Sequence, residues 1–267
     1  MHRGNDGSMN WNGLEIPDNP YFYDEDVVIY NADCREILPR LLDKSIDLVL
    51  TDPPYNLSSY STGNMELSWR KTINNDLAEW DLNSFEPAEW LSDFMRVLKP
   101  TGNIFAFTSY NLMGKWHEVF DPAFDTFQYM VWHKTNPVPK IRRAGFLNSC
   151  ELIICVWDKG HTWNFTNQKE MHNFIQSPIC MGNERVKNPV HPTQKPLKVL
   201  EHIIKLASDE GDTVLDPFLG SGTTAVASKL LNRKCIGIEI SEKYCEIAVK
   251  RLSQQVMKLN IKEQPDA

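Results

Sequence analysis

Asp216-Pro217-Phe218-Leu219-Gly220-Ser221-Gly222-Thr223-Thr224-Ala225 is the stretch on which the fold turns. A short strand pattern, Thr213 to Leu215, precedes it, and a helical pattern from Thr223 to Leu231 follows. Glycines at such a junction let the backbone approach a ligand closely, and the helix N-terminus offers N–H groups that have no partner inside the helix. The next strand, Cys235 to Glu239, ends on an acid seventeen residues after Gly222, where a carboxylate can accept from both ribose hydroxyls of an adenosine-containing cofactor. Gly220 to Ala225 also fits G-x-G-x-x-A, so this stretch alone does not separate a nicotinamide cofactor from S-adenosylmethionine. No G-x-x-x-x-G-K-[ST] occurs in the chain, which excludes an ATP-type phosphate loop.

Outward from this unit the pattern alternates between strand and helix. Val27 to Asn31 reads as a strand, followed by Asp33 as an N-cap and a helix through Leu42. Ile46 to Thr51 reads as a buried strand. Helices are expected over Glu86 to Leu98, Leu112 to Phe120, Leu197 to Ser208 and Glu242 to Met257, and strands over Asn103 to Thr108 and Thr126 to His133. Residues 56–85 are polar, irregular and too long for an ordinary connection, which points to a functional loop. Between Lys134 and Arg185 the rhythm breaks, as in an inserted module, with one strand (Leu152 to Trp157) and with Trp157, Trp163 and Phe165 expected in the core.

With 267 residues, 42% hydrophobic and 24% charged, the chain is long enough for one large α/β domain and is neither disordered nor fibrous. No run of eighteen apolar residues is present, so no membrane span is expected. Met1 to Asn12 lacks the apolar core of a signal peptide, and a cytoplasmic protein is expected. The six cysteines contain no C-x-x-C pair, the arrangement of reduced packing residues. A zinc site from Cys150, Cys155, His161 and His172 has poor spacing, and no metal is expected. Net charge is −7, of which −6 falls in residues 1–33, a balance that speaks against coating nucleic acid through bulk positive charge.

A second turn carries chemistry. Asp52-Pro53-Pro54-Tyr55 follows the strand at Thr51, and its two prolines stop that strand and stiffen the turn at its carboxyl end, where open α/β sheets bind ligands. An exocyclic amino group of a nucleobase is a poor nucleophile, because its lone pair is delocalised into the ring. A carboxylate and a backbone carbonyl held rigidly can accept its two hydrogens and aim the lone pair at an electrophilic methyl group. Asp52 and the Pro53 carbonyl suit that task, and the ring of Tyr55 suits stacking on a base swung out of its duplex. In isolation the same four residues also read as a strand-ending turn with a buried tyrosine.

Taken together, the two turns resemble the amino-group DNA methyltransferases that use S-adenosylmethionine, which carry D-P-P-Y and F-x-G-x-G motifs. Here D-P-P-Y comes first and Phe218-Leu219-Gly220-Ser221-Gly222 late, an order that resembles the β class. The resemblance extends from about residue 26 to 257. Asn31-Ala32-Asp33-Cys34 resembles the adenine-pocket motif, with Ala32 where relatives often have glycine, and implies Asp33 and Cys34 at the cofactor adenine. His191-Pro192-Thr193-Gln194-Lys195-Pro196 resembles the motif beside the methionine moiety, implying His191, Thr193 and Lys195 there. Trp132 and Lys134 resemble a pair that closes the catalytic half. The implied cofactor set also takes in Asp52, Asp216, Phe218, Gly220, Ser221, Gly222, Thr223, Thr224 and Glu239, and the implied catalytic set is Asp52, Pro53, Pro54 and Tyr55.

The resemblance further implies an α/β fold with a Rossmann-like seven-stranded mixed sheet, its last hairpin antiparallel, circularly permuted and carrying an inserted target-recognition region. The expected organisation is an acidic N-terminal extension (1–26), a catalytic half (27–134), the target-recognition region (135–190), a cofactor half (191–258) and a tail (259–267). Lys134, Lys140, Arg142 and Arg143 form a basic cluster suited to phosphates and base edges, and the loop residues Ser58, Tyr60, Arg70 and Lys71 are the other candidates for contact with double-stranded DNA. The implied activity is site-specific methylation of adenine N6, with cytosine N4 as the alternative. A homodimer and a restriction endonuclease sharing the target site are implied partners. A nicotinamide-dependent oxidoreductase, or a catalytically silent DNA-binding module, would leave the D-P-P-Y turn without a task. Cytosine C5 chemistry lacks its Pro-Cys nucleophile.

Overall fold

The computed structural model describes residues 7–56, 85–139, 145–182, 184–186 and 194–254, together with the backbone of 65–67, 70–73 and 255–262. A hairpin of β1 (Ser8–Trp11) and β2 (Leu14–Pro17) opens the chain, followed by β3 (Phe22–Tyr23) and β4 (Val27–Asn31). The short helix α1 (Cys34–Ile37), whose first turn is capped by the Asp33 carboxylate, leads to β5 (Ile46–Thr51). A small hairpin of β6 (Met65–Leu67) and β7 (Arg70–Ile73) precedes α2 (Leu91–Val97), β8 (Leu98–Thr108) and α3 (Met113–Phe120). Next come β9 (Thr126–Lys134), β10 (Cys150–Trp157) and β11 (Phe174–Ser177). Regular alternation closes the chain, with α4 (Leu197–Ala207), β12 (Thr213–Asp216), α5 (Thr223–Leu230), β13 (Lys234–Glu239) and α6 (Glu242–Lys262). The first helix is shorter than its apolar pattern suggests, because Pro39 turns the chain into a 3-10 segment.

Nine strands form one sheet in the order β11-β9-β10-β8-β5-β12-β13-β4-β3. From β8 to β4 the pairs are parallel, while β10 runs antiparallel to both of its neighbours. Seven of these strands match the implied sheet; the additional two, β11 and β3, are short edge strands. β12 and β13 come last in the chain yet lie between β5 and β4, which is the implied permutation.

The central strands are buried on both faces and alternate between two apolar layers. Val49 faces a layer built with the N-terminal hairpin, α2 and α3, whereas Leu48 and Leu50 face a layer built with α4. A third cluster joins β4 and β13 to α5 and α6 through Val27, Ile29, Cys235, Val226 and Ala248.

Expected as an acidic extension, residues 8–17 are instead docked on the domain. Asn12 and Gly13 both have positive φ (51° and 87°), the combination a two-residue hairpin turn needs, and the turn sets Met9, Trp11 and Ile16 into the core. Trp11 donates through Nε1 to the Asp24 carbonyl at 2.7 Å, and Lys229 of α5 pairs with Asp24 and Asp26 at 2.5 and 3.4 Å. Part of the local negative charge is thus matched within the fold.

Residues 135–190 likewise share in the sheet. β10 lies between β8 and β9, because its apolar residues Ile153, Ile154, Cys155 and Val156 fill both layers. Phe165 is 53% exposed, contrary to the core position expected for it, while Trp157 and Trp163 pack together with ring centroids 4.9 Å apart. Among the described residues no helix is long and apolar enough to cross a membrane, and no cluster of ligating side chains suits a metal ion. All six cysteines are free thiols, Cys150 being exposed.

Candidate active site

β5 and β12 are neighbours in the sheet, so the two motif turns leave it side by side. The contact is direct: the Thr51 hydroxyl donates to Asp216 Oδ1 at 3.0 Å. Between the turns opens a cavity of about 460 Å³. Asp33 and Cys34 line it at the end of β4, and Asp52 and Pro54 at the end of β5, with β12 and β13 between the two strands. Lys195, Asp216, Phe218 and Glu239 also border it, as do Gly220, Ser221, Thr223 and Thr224 of the glycine turn.

Gly222, expected among the cofactor ligands, does not border the cavity. It sits in the left-handed region at φ +78°, and a Cβ built there would lie 2.6 Å from the Ala248 Cβ of α6. Its role is the close approach of turn and helix. One helical turn further along α6, Arg251 reaches the same glycine turn, donating to the Ser221 carbonyl at 2.6 Å and to the Thr223 hydroxyl at 3.0 Å.

Glu239 fixes the turn from below. Its carboxylate accepts from Gly220 N–H and Ser241 N–H, each at 2.8 Å, while burial pushes its pKa upward. Asp33 caps α1 by accepting from Arg35 N–H at 2.9 Å and pairs with the Arg35 guanidinium, which holds its pKa below the ordinary value.

The cavity border carries Asp33, Asp52, Glu89, Asp216 and Glu239 against Arg35 and Lys195. A pyrophosphate would meet an excess of carboxylates and a Gly220 N–H already committed to Glu239. A sulfonium cofactor that also carries an ammonium group is cationic at both, and this donor set fits it.

Asp216 illustrates the strain. It accepts from Thr51, from the Thr224 hydroxyl at 2.6 Å and from Phe218 N–H at 3.1 Å, yet burial pushes its pKa up to about 7 from 3.8. The unfolded chain therefore ionises this group first, and the native state loses stability as pH rises from about 4 to about 7. Asp216→Asn is expected to stabilise the cofactor-free protein by about 1–3 kcal/mol at pH 8 and to give no gain at pH 4. Thermal melts at both pH values test this, and an equal shift at both would refute it.

Asp52 is the centre of a second network. Tyr55 donates through its hydroxyl to Asp52 Oδ1 at 2.6 Å, and the Lys195 ammonium contacts Asp52 Oδ2. Lys195 also lies 5.3 Å from the Tyr55 ring centroid and 5.0 Å from that of Phe107. Glu151 of β10 completes the group, 3.3 Å from Lys195 and 2.6 Å from Lys134. Burial and Glu151 raise the pKa of Asp52, and Lys195 opposes them. Pro53 is buried, and the Tyr55 carbonyl accepts from Asn111 Nδ2 at 3.0 Å, which anchors the far end of the turn.

Lys134, expected both at the DNA and with Trp132 in a pair closing the catalytic half, is turned inward onto Glu151 rather than outward, its side chain 15% exposed, because a buried carboxylate there needs a counter-charge. Lys140, Arg142 and Arg143, the motif residues His191 and Thr193, and the loop residues Ser58 and Tyr60 lie outside the described residues. So do the side chains of Arg70 and Lys71.

Several neighbours of the cavity were not legible as such. Phe85 and Trp90 stack at 5.9 Å and meet Phe218 edge-on at 5.8 and 5.2 Å, forming an aromatic wall. Asn56, the residue after the turn, joins Phe85 twice, with Nδ2 donating to its carbonyl and Oδ1 accepting from its N–H, both at 2.8 Å. Asn56 has φ +56°, a conformation asparagine tolerates well, and an asparagine directly after the D-P-P-Y turn was the trace in the sequence.

The DNA methylase family N6_N4_Mtase matches residues 46–250 of this chain. Over 253 residues the chain is 35% identical to the Type II methyltransferase M2.LlaDCHI of Lactococcus lactis subsp. cremoris, covering 88% of this chain and 92% of that protein. It is 33% identical over 254 residues to the Type II methyltransferase M2.DpnII of Streptococcus pneumoniae, covering 88% and 93%. Among solved structures, the complex of M1.HpyAVI with SAM superposes with a TM-score of 0.61 at 30% identity, covering 85% of this chain and 100% of the other.

Proposed function

The chain belongs to the N6/N4 DNA methylase family, and from that premise we propose that it transfers a methyl group from S-adenosylmethionine to adenine N6 at specific sites in duplex DNA. The observation that carries this reading is the meeting of the two turns: Asp52 and the glycine turn border one cavity, joined at its floor by the Thr51 to Asp216 contact. S-adenosylmethionine supplies the electrophilic methyl group when bound. Glu239 would hold the ribose hydroxyls and Asp33 the adenine side, with Phe85, Trp90 and Phe218 as apolar walls.

A base swung out of the duplex would bring its amino group to Asp52. Asp52 accepts one amino hydrogen and the Pro53 carbonyl the other, which localises the nitrogen lone pair and directs it into the cavity. The Tyr55 hydroxyl and Lys195 fix the carboxylate from two sides, so its orientation is set before the base arrives. The ring of Tyr55, held by its own hydroxyl, offers its face to the base.

Target recognition is assigned to 135–190 outside the two sheet strands, with Lys140, Arg142 and Arg143 at phosphates and base edges. Ser58, Tyr60, Arg70 and Lys71 are assigned to DNA from the loop after the catalytic turn. The reading also places the protein in the cytoplasm, beside an endonuclease of the same target site. A homodimer belongs to the same proposal, and sedimentation of the free protein measures it.

Incubation with methyl-labelled S-adenosylmethionine and duplex DNA, followed by nucleoside analysis, tests the reading. Label in N6-methyladenosine is expected. Label in N4-methylcytosine would replace the base assignment, and absence of transfer would overturn the proposal. Glu239→Ala is expected to weaken cofactor binding about 10- to 100-fold, the worth of hydrogen bonds to a charged group. Unchanged affinity in a calorimetric titration would remove Glu239 from the ribose.

A further inference from the structure

Glu151 stands outside the cavity border, opposite Trp132 in the β9–β10 pairing, and both of its carboxylate oxygens are engaged. Oε1 faces Lys134 Nζ at 2.6 Å, and Oε2 faces Lys195 Nζ and the Tyr55 hydroxyl, both at 3.3 Å. Lys195 and Tyr55 are the same two groups that hold Asp52. Charges of alternating sign therefore run inward from β9 to the catalytic turn: Lys134, Glu151, Lys195, Asp52. Lys195 is the most enclosed of the four, its side chain 6% exposed. Buried ion chains contribute little net stability, since desolvation offsets much of the attraction between the charges. They do restrict geometry, because each member is held by partners on two sides.

We propose that Glu151 is a positioning residue for methyl transfer, holding Lys195 from the far side so that Lys195 and Tyr55 fix the orientation and ionic surroundings of the Asp52 carboxylate. This rests on the reading of Asp52 given above. Tyr55 carries one proton and gives it to the nearer acceptor, Asp52, so Glu151 acts on the pair chiefly through Lys195. Lys195 contacts Asp52 more closely than it contacts Glu151, yet the second carboxylate shares its charge. The Glu151 charge thereby offsets part of the ammonium's pull on the Asp52 lone pairs, which the base amino group needs as acceptors.

The groups around Asp52 give the inference opposite signs to test. Lys195 faces it from the segment before α4, Tyr55 from its own turn, Glu151 from β10 and Asp216 from the end of β12; Lys134 of β9 acts through Glu151. Removing the negative charge of Glu151 makes Asp52 easier to ionise, and removing the positive charge of Lys195 makes it harder. Loss of packing alone would not produce opposite shifts.

The experiment is a carbon-13 carboxyl titration by NMR on the cofactor-free full chain, with the Asp52 resonance assigned through Asp52→Asn. In Glu151→Gln the Asp52 midpoint is expected to fall, and in Lys195→Met to rise. Turnover of Glu151→Gln should drop on the order of 10²-fold, as for a misplaced catalytic group, with cofactor affinity within about threefold of the parent and partial recovery in Glu151→Asp. An Asp52 midpoint unmoved in Glu151→Gln, shifts of the same sign in both variants, or turnover of Glu151→Gln within about threefold of the parent would each overturn the inference. Should Glu151→Gln fail to fold, Lys134→Met with Glu151→Gln, which keeps the buried charge balanced, takes its place. If the parent methylates cytosine, the base assignment falls while the titration and the turnover ratio still decide the role of Glu151. If the parent transfers no methyl at all, the proposed function falls and the titration alone decides.

Discussion

Asp52→Ala is expected to bind S-adenosylmethionine with nearly the parent affinity and to transfer methyl at least about 10³-fold more slowly, the scale lost with a preorganised electrostatic group. In the proposed reading cofactor affinity rests mainly on the glycine turn and Glu239, with which Asp52 shares no hydrogen bond among the described residues. On the proposed mechanism catalysis depends on the carboxylate, because the neutral Pro53 carbonyl can accept only one of the two amino hydrogens. Its removal leaves Lys195 paired with Glu151 at 3.3 Å, so the buried cation keeps a counter-charge and the fold survives. Asp52→Asn is the sharper variant, since it keeps the shape but can present a donor where the base also donates. Single-turnover transfer and a binding titration separate the two effects. Near-normal turnover in Asp52→Ala would end the amino-group mechanism.

Gly222→Ala should destabilise the protein by about 2–5 kcal/mol, from a left-handed backbone that costs about 1–2 and overpacking that costs about 1–3. Both arise at one atom. The new Cβ would stand 2.6 Å from the Ala248 Cβ and 3.0 Å from its Cα, within the packed face between the glycine turn and α6. Ala248→Gly in the same chain removes the closer contact and should recover part of the loss, leaving the backbone strain. Urea unfolding of the two single variants and the double variant gives the coupling. A loss below about 1 kcal/mol for Gly222→Ala, or no recovery in the double variant, would refute this account of the glycine.

What could be read from the sequence was what is local along it. The D-P-P-Y turn and the glycine turn are contiguous, their prolines and glycines have few uses, and both stand at strand ends as expected. Lys195 and Asp52 were each legible as part of a motif, but their pairing was not, because an ion pair across 143 positions leaves no mark on either neighbourhood. Glu151 is the extreme case. One acid near the start of an apolar strand resembles any surface residue, and only the pairing of β10 with β9 brings it to Lys134. The basic cluster misled for the same reason: Lys134 looked continuous with Lys140, Arg142 and Arg143, while the sheet turns it inward. By contrast, the N-terminal hairpin did leave a signal, the Asn12-Gly13 pair of a two-residue turn between Trp11 and Leu14.

The position of β12 between β5 and β4 has a consequence for how the chain is made. On the ribosome, β4 and β5 emerge long before the strands that will separate them, so the middle of the sheet is the last part to be delivered. Until Thr213–Asp216 and Lys234–Glu239 arrive, the facing edges of β4 and β5 are open, and both strands are rich in valine, isoleucine and leucine. Closing the gap demands contacts between residues about two hundred apart, as in Ile29 beside Gly237, which makes for slow folding. A nascent chain of this order is therefore exposed to chaperones and proteases for most of its synthesis, and translation that stops short of β12 leaves a sheet with its centre missing.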